Sequence, residues 1–299
     1  MPMQLNVEAR IELTTRCRDA DALPKAPLAG QVIEEAGERV QVMFNGLRVV
    51  AGGYYGDWMM RLIELCRGHH EPQEEVAFAQ VMHHVGPRAR MIELGGNWSF
   101  YSIWFLSGFA GRKAIVLEPD PAYLETGRRN AALNGVMATF VNAFAGGKSR
   151  PPETFRTESS GEIAIPCLSV PDLMSKAGWD SLDVLHCDAQ GVEFDVLQSC
   201  ADLFRAGAIG WVIVSTHSHH ISGDPLTHQR CHAILRQLGG TIVAEHDVHE
   251  SFSGDGLVVA RFGPLPKGWV SPRISYNRYS SALFRNPAFD LAAASARGR

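Results

Sequence analysis

From Glu71 to Gly263 the sequence predicts an α/β domain: a mostly parallel seven-stranded sheet with helices on both faces. Three observations carry this. Seven short β-rich runs recur along the stretch, helical patterns fall between most of them, and the first run ends in a glycine pair that opens a helix. Alternating βα units bring strands side by side in parallel and bury them on both faces.

Residues 1–68 read differently, as a small N-terminal β-containing extension. Glu38 to Phe44 and Leu47 to Val50 are β-rich and flank Asn45-Gly46, a dipeptide that tolerates the positive φ angles of a hairpin turn. The Gly- and aromatic-rich segment from Gly52 to Trp58 is either a structural turn or a lip over a substrate, with Tyr55 its candidate contact. Pro72 suits a first helical position, Glu74 and Glu75 complement the helix N-terminus, and Phe78, Val81, Met82 and Val85 form one apolar face. Gly86-Pro87 ends that helix. Strands are expected at Arg90–Leu94, Ala114–Leu117, Ala138–Asn142, Leu182–Cys187, Ile209–Ser215, Thr241–Glu245 and Leu257–Arg261. Helices are expected at Pro121–Asn134, Val192–Ser199 and Thr227–Leu238. The domain spans 69–263, and a tail rich in Pro, Arg, Asn and Ser covers 264–299, as a strap or partly disordered.

Composition narrows the function classes. A net charge of -4, from 32 acids against 28 bases, gives no general attraction to nucleic acid or anionic lipid, though Arg128, Arg129 and the tail leave a local basic patch open. Six scattered cysteines form no CxxC pair, so neither a disulfide framework nor a zinc knuckle is expected, and thiols reduced in a cytoplasmic setting are. The N-terminus has no apolar h-region and no segment has the length to span a bilayer.

The strongest local signal is Met91-Ile92-Glu93-Leu94-Gly95-Gly96-Asn97-Trp98-Ser99, where a buried strand ends in glycines and a helix starts near Ser99. Gly95 and Gly96 allow a ligand to approach the backbone beyond the strand's carboxyl end. The full GxGxxG pattern is absent, which disfavours a pyrophosphate on the helix N-terminus. Glu93 is placed to pair with the ammonium group of a bound amino acid. Glu118, at the end of the next strand and followed by Pro119, is placed to accept both hydroxyls of a ribose. Asn142 ends the third strand and either contacts an adenine edge or caps a turn.

These stretches, IELGGNWSFYS and VLEPDPAYLETGRRNAALNG, together with LDVLHCDAQGVEFDVL, resemble the FkbM-type family of S-adenosylmethionine-dependent methyltransferases. The resemblance implies a Rossmann-like class I methyltransferase fold and S-adenosyl-L-methionine as cofactor. It implies that Glu93, Gly95, Asn97, Glu118 and Asn142 bind the cofactor, with Asp188 beside its methyl group; Gly96, Ser99 and Pro119, next to them in the chain, are expected at the same site. It also implies O-methylation of a hydroxyl on a sugar, glycan or natural product. Where that family has Lys or a similar residue before an aliphatic-Asp pair, this chain has His186-Cys187-Asp188, and Gln190 replaces a Glu before the Gly.

Methyl transfer to a hydroxyl or amine requires alignment of acceptor and methyl, and removal of a proton. Asp188, Glu193 and the run Ser215 to His220 follow strand ends on one sheet edge. His217 or His219 is the expected base, since an imidazole titrates near neutrality, and Glu193 and His220 are expected to contact substrate. Asp188, His217 and Asp224 also suggest a divalent metal, which is not favoured because no known ligand spacing is matched; a structural role for the histidines is the third possibility. The acceptor is expected to be a small molecule or glycan, and a homo-oligomer stays open. Rival readings are an N- or protein methyltransferase on the same fold, a nicotinamide-dependent oxidoreductase, and a non-catalytic cofactor-binding scaffold.

Overall fold

The computed structural model describes residues 6–277. The chain begins with α1 (Val7–Thr14), capped by the Asn6 side chain. Strands β1 (Val32–Glu35), β2 (Glu38–Val42) and β3 (Arg48–Val50) then pair antiparallel in that order. The turn at Asn45-Gly46 joins β2 to β3, with Gly46 at a φ of 87°. β1 is a strand more than the sequence pattern predicts, because its residues are half-buried or exposed without a clean alternation. Helix α2 (Asp57–Leu65) returns the chain to the main domain.

That domain runs through α3 (Pro72–Met82), β4 (Arg90–Leu94), α4 (Phe100–Leu106), β5 (Lys113–Glu118), α5 (Pro121–Leu133) and β6 (Thr139–Asn142). Between Asn142 and Leu182, where hydropathy signals no strand, lie β7 (Phe144–Ala145), β8 (Arg150–Arg156) and β9 (Glu162–Leu168), a second small sheet, followed by α6 (Val170–Ala177). β8 is exposed along nearly all its length, carries two prolines and is bulged against β9, so neither of its faces gives an apolar pattern. The chain continues through β10 (Leu182–Cys187), α7 (Glu193–Ser199), α8 (Ala201–Arg205), β11 (Ile209–Thr216), α9 (His219–Ser222), α10 (Thr227–Gln237), β12 (Thr241–His246) and β13 (Gly256–Arg261).

The seven expected strands form one sheet in the order β12-β13-β11-β10-β4-β5-β6. All neighbours are parallel except β13, which runs antiparallel between β11 and β12. From β4 the chain moves outward to β5 and β6, then crosses back to place β10 on β4's other side. The carboxyl ends of β4 and β10 therefore flank a point where strand order reverses, the place where open α/β sheets bind ligands. The sheet is Rossmann-like, as expected.

Strand alternation sorts the core into two layers. Met91, Val184, Ile213 and Val259 pack with α3, α4 and the N-terminal extension, through Phe78, Phe100 and Met59 among others. Their chain neighbours Ile92, Leu185, Val212 and Val258 pack with α6, α7 and α10, through Leu173, Val196 and Leu235. Each fully buried side chain of this kind contributes about 1.5–3 kcal/mol, so both layers hold the sheet firmly. The extension shares the first layer. Its edge strand β3 is also tied to α5, where Asn130 and Asn134 accept from the backbone N–H groups of Val50 and Arg48.

The six cysteines are free, and among the described residues no helix is long and apolar enough to cross a membrane. Of the expected tail, residues 264–277 lie across the domain: Gln73 donates to the carbonyl of Ser275, and Asn277 N–H donates to Glu250. Residues 278–299 lie outside the described residues.

Candidate active site

A cleft of about 200 Å³ opens at the reversal point, over the carboxyl ends of β4, β5 and β10. Of the residues expected at a cofactor, Glu93, Gly95, Gly96, Asn97, Glu118, Pro119 and Asp188 line it, and so does Tyr55 from the aromatic loop. The glycines are required for a reason other than ligand approach. A Cβ on Gly95 would lie 1.7 Å from the carbonyl oxygen of Asp188, and one on Gly96 would lie 2.2 Å from Val116. Without a side chain, Gly95 lets the loops after β4 and β10 press together and Gly96 lets the turn lie on β5; Gly95 also has a φ of 74°.

Glu118 is buried, and each of its carboxylate oxygens accepts one backbone N–H: Oε2 from Asn97 at 2.8 Å and Oε1 from Asp120 at 2.7 Å. Burial nevertheless pushes its carboxyl up to about 8, against these two N–H groups. Glu93 accepts the backbone N–H of Ser102 at 3.1 Å, and burial raises it to about 7. Both carboxyls lack an adequate internal counter-charge, and both face the cleft.

Ser99 and Asn142 do not line the cleft. Ser99 is buried in the left-handed region, φ 64°, where Gly127 of α5 packs on its hydroxyl side. Asn142 donates through Nδ2 to the carbonyls of Glu118 and Pro119, at 3.0 and 2.8 Å, and so fixes the turn that carries Glu118. Of the two readings for Asn142, the turn-fixing one matches these bonds.

His217 lies behind the cleft wall. Nδ1 is 2.6 Å from Glu193 Oε1, Nε2 is 3.1 Å from Asp188 Oδ1, and Asp255 stands 3.8 Å from Nε2. Despite burial, Asp255, Glu193 and Asp188 hold the imidazole well above the ordinary histidine range. With both nitrogens facing carboxylates the ring stays doubly protonated, so His217 is a fixed cation and not the expected base. Glu193, expected to touch substrate, is fully buried, accepts from Gly191 N–H and pairs with His217; it holds the turn after β10. His219 and His220 of α9 lie against each other with their rings tilted by 42° and centroids 3.8 Å apart, away from the cleft lining. Asp224 accepts the Leu226 N–H in the turn before α10 and pairs with Arg230. The alternative metal set Asp188, His217 and Asp224 is therefore not gathered, and among the described residues no three His, Cys, Asp or Glu side chains are placed to hold a metal ion.

Asp188 remains at the cleft. His217 engages its Oδ1, while burial raises its carboxyl above the usual aspartate range, against the His217 charge. An aspartate so placed takes a proton more readily than an exposed one.

The structure adds residues that the sequence pattern does not single out. The first turn of α3 is buried rather than solvated: Glu71, Gln73, Glu74 and Glu75 are each at most 7% exposed. His70 and Glu71 line the cleft, together with Tyr54, Trp98, Tyr101 and His186. Alternation explains this. Two residues past Met91, Val184 and Ile213, the first-layer face presents Glu93, His186 and Ser215. Glu74 bridges two of them, at 2.6 Å to His186 Nε2 and 2.5 Å to the Ser215 hydroxyl. A sequence signal existed: Glu74 shares the helical stripe of Phe78 and Val81, so it points where they point. Over the other end of the cleft, Glu158 in the β8–β9 turn accepts from Tyr55, Tyr123 and Gln190 at 3.0–3.3 Å. Asp120 accepts four bonds from Ser159 and Ser160.

Residues 80–241 match the methyltransferase FkbM domain family. No curated protein matches the chain. Among solved structures, the precorrin-6y C5,15-methyltransferase from Geobacter metallireducens GS-15 is 14% identical, covering 63% of this chain and 87% of that one, with a TM-score of 0.42. The M. capricolum TrmK, solved with S-adenosyl-homocysteine, is 9% identical over 64% of this chain and 71% of that one, TM-score 0.41. The ribosomal protein L11 methylase from Lactobacillus delbrueckii subsp. bulgaricus is 12% identical over 64% and 79%, TM-score 0.39.

Proposed function

Since the chain belongs to the FkbM methyltransferase domain family, we propose that it transfers a methyl group from S-adenosylmethionine to a hydroxyl of a small-molecule or glycan acceptor. The observation that carries the cofactor reading is the pair of buried, under-compensated carboxyls in one cleft. A ligand that brings two hydroxyl donors and an ammonium group supplies what Glu118 and Glu93 lack. The ribose and amino-acid ends of S-adenosylmethionine bring both. In this reading Glu118 holds the ribose hydroxyls, Glu93 the ammonium, and Gly95 to Asn97 the backbone between them. Asn142 and Ser99 act indirectly, through the turn after β5 and the start of α4.

When bound, the cofactor would supply an electrophilic sulfonium methyl, and its transfer to an acceptor hydroxyl would release one proton. Asp188 takes that proton at Oδ2, because His217 already engages Oδ1. His217 keeps the carboxylate oriented and charged until then. The aromatic wall of Tyr54, Trp98 and Tyr101 keeps water from the reacting atoms.

Calorimetric titration with S-adenosylhomocysteine tests this reading. Wild type is expected to bind in the micromolar range, and Glu118→Ala to bind at least tenfold more weakly, about 1.4 kcal/mol, with circular dichroism unchanged. Equal affinity in the two proteins removes Glu118 from the ribose.

A further inference from the structure

We propose that Glu71, together with His186 and Asp188, forms the seat of the acceptor hydroxyl, so that the start of α3 selects an uncharged alcohol. The proposal rests on the methyltransferase reading above and extends it to Glu71, outside the stretch 80–241 that matches the family.

Three groups in one cleft carry it. Tyr101 and His70 both engage Glu71 at Oε2, each at 3.3 Å, which leaves Oε1 for a ligand. His217 engages Asp188 at Oδ1, which leaves Oδ2. His186 is 2% exposed and lines the cleft, with Nε2 tied to Glu74; among the described residues its Nδ1 has no hydrogen-bond partner. A buried ring nitrogen without a partner is destabilising unless a ligand meets it. Against its burial, Glu74, Glu93 and Asp188 raise the His186 imidazole. With Nε2 donating to Glu74, the ring's Nδ1 therefore also carries a proton, and the set offers one donor and two acceptors. A hydroxyl matches it, because its oxygen accepts from His186 while its proton is given to a carboxylate. An acidic acceptor would set its charge against both Glu71 and Asp188.

The two carboxylates divide the work. His70, itself raised to about 10 against its burial by Glu71 and Glu75, holds Glu71 below the usual glutamate range, so Glu71 orients the hydroxyl and stays ionised. Asp188, shifted upward by burial, takes the proton. Arg10 adds a further positive field at Glu71, and Glu75 an opposing negative one.

Two cofactor analogues test this without knowledge of the acceptor. Sinefungin carries a primary ammonium where the methyl stands; S-adenosylhomocysteine carries nothing there. Titrated calorimetrically at pH 8, wild type is expected to prefer sinefungin at least tenfold. Glu71→Gln, which keeps the shape of the side chain, is expected to cut that preference at least fivefold. Asp188→Asn gives the same readout should Glu71→Gln fail to fold. Equal weakening of both ligands in Glu71→Gln, with the preference kept, overturns the seat and moves Glu71 to the amino-acid end of the cofactor. Absence of S-adenosylhomocysteine binding by folded wild type overturns the cofactor reading itself, and the seat with it.

Discussion

Glu93 and Glu118, at the ends of β4 and β5, are nearly as buried as Glu75 and Glu193, yet their charges are met in opposite ways. Glu75 pairs with His69 and His70, and Glu193 with His217. Against their burial, these histidines hold both carboxyls below the usual glutamate range. Glu118 receives backbone N–H groups only, and Glu93 the Ser102 N–H and the field of His186, which Glu74 already engages; burial outweighs these and raises them to about 8 and 7. The first pair belongs to the scaffold, with its electrostatics closed inside the protein. The second pair is left open toward the cleft. The comparison teaches where to look for a ligand: at the buried charge that the protein has not neutralised for itself.

The sharpest way to break this contrast is to remove a scaffold cation. His217→Ala leaves Asp188, Glu193 and Asp255 without their shared partner, and the loss of stability is expected to be about 3–5 kcal/mol. Urea denaturation checks it, and a loss below 1 kcal/mol would mean that the three acids find compensation elsewhere.

The open pair is sharpened by pH. A carboxyl raised in the fold binds its proton more tightly there than in the unfolded chain, which is near 4.5. Its contribution to stability is full below pH 4.5 and is lost as pH rises through about 7 for Glu93 and about 8 for Glu118. A ligand that meets the ionised forms must reverse the trend. S-adenosylhomocysteine is therefore expected to bind at least ~10-fold more tightly at pH 8.5 than at pH 6, and its thermal shift to grow across that range. Affinity that is flat with pH would dissociate the two carboxyls from the ligand.

The smallest effect is expected at Asn142. Asn142→Ala frees the carbonyls of Glu118 and Pro119, and a neutral hydrogen bond is worth about 0.5–1.5 kcal/mol, so cofactor affinity should fall about threefold to tenfold. An effect as large as that of Glu118→Ala would place Asn142 in contact with the ligand after all.

What could be read before folding follows the range of the interactions involved. Glu93, Gly95, Asn97 and Glu118 lie at strand ends marked by local pattern, an apolar run stopping at glycine or at an acid before proline, so their place at the sheet edge was legible. His217 was legible as a neighbour of that edge but not as a cation, because its state depends on Glu193 and Asp255 arriving from other elements. Glu74 and Glu75 read as acids that complement a helix N-terminus, and Glu71 carried no local signal; only the docking of α3 over His186 and Ser215 buries them. The β7–β9 sheet left no hydropathy signal because most of β8 faces solvent on both sides.

By itself, the sequence determined the seven-stranded α/β architecture, the glycine turn after β4 and the acid after β5. Periodicity and turn chemistry are properties of neighbours along the chain. Only the tertiary structure decided which acids carry an internal partner and which await one, and that α3 lends Glu71 to the cleft. Charge states of buried groups depend on what packs against them from distant segments, and no local pattern encodes that.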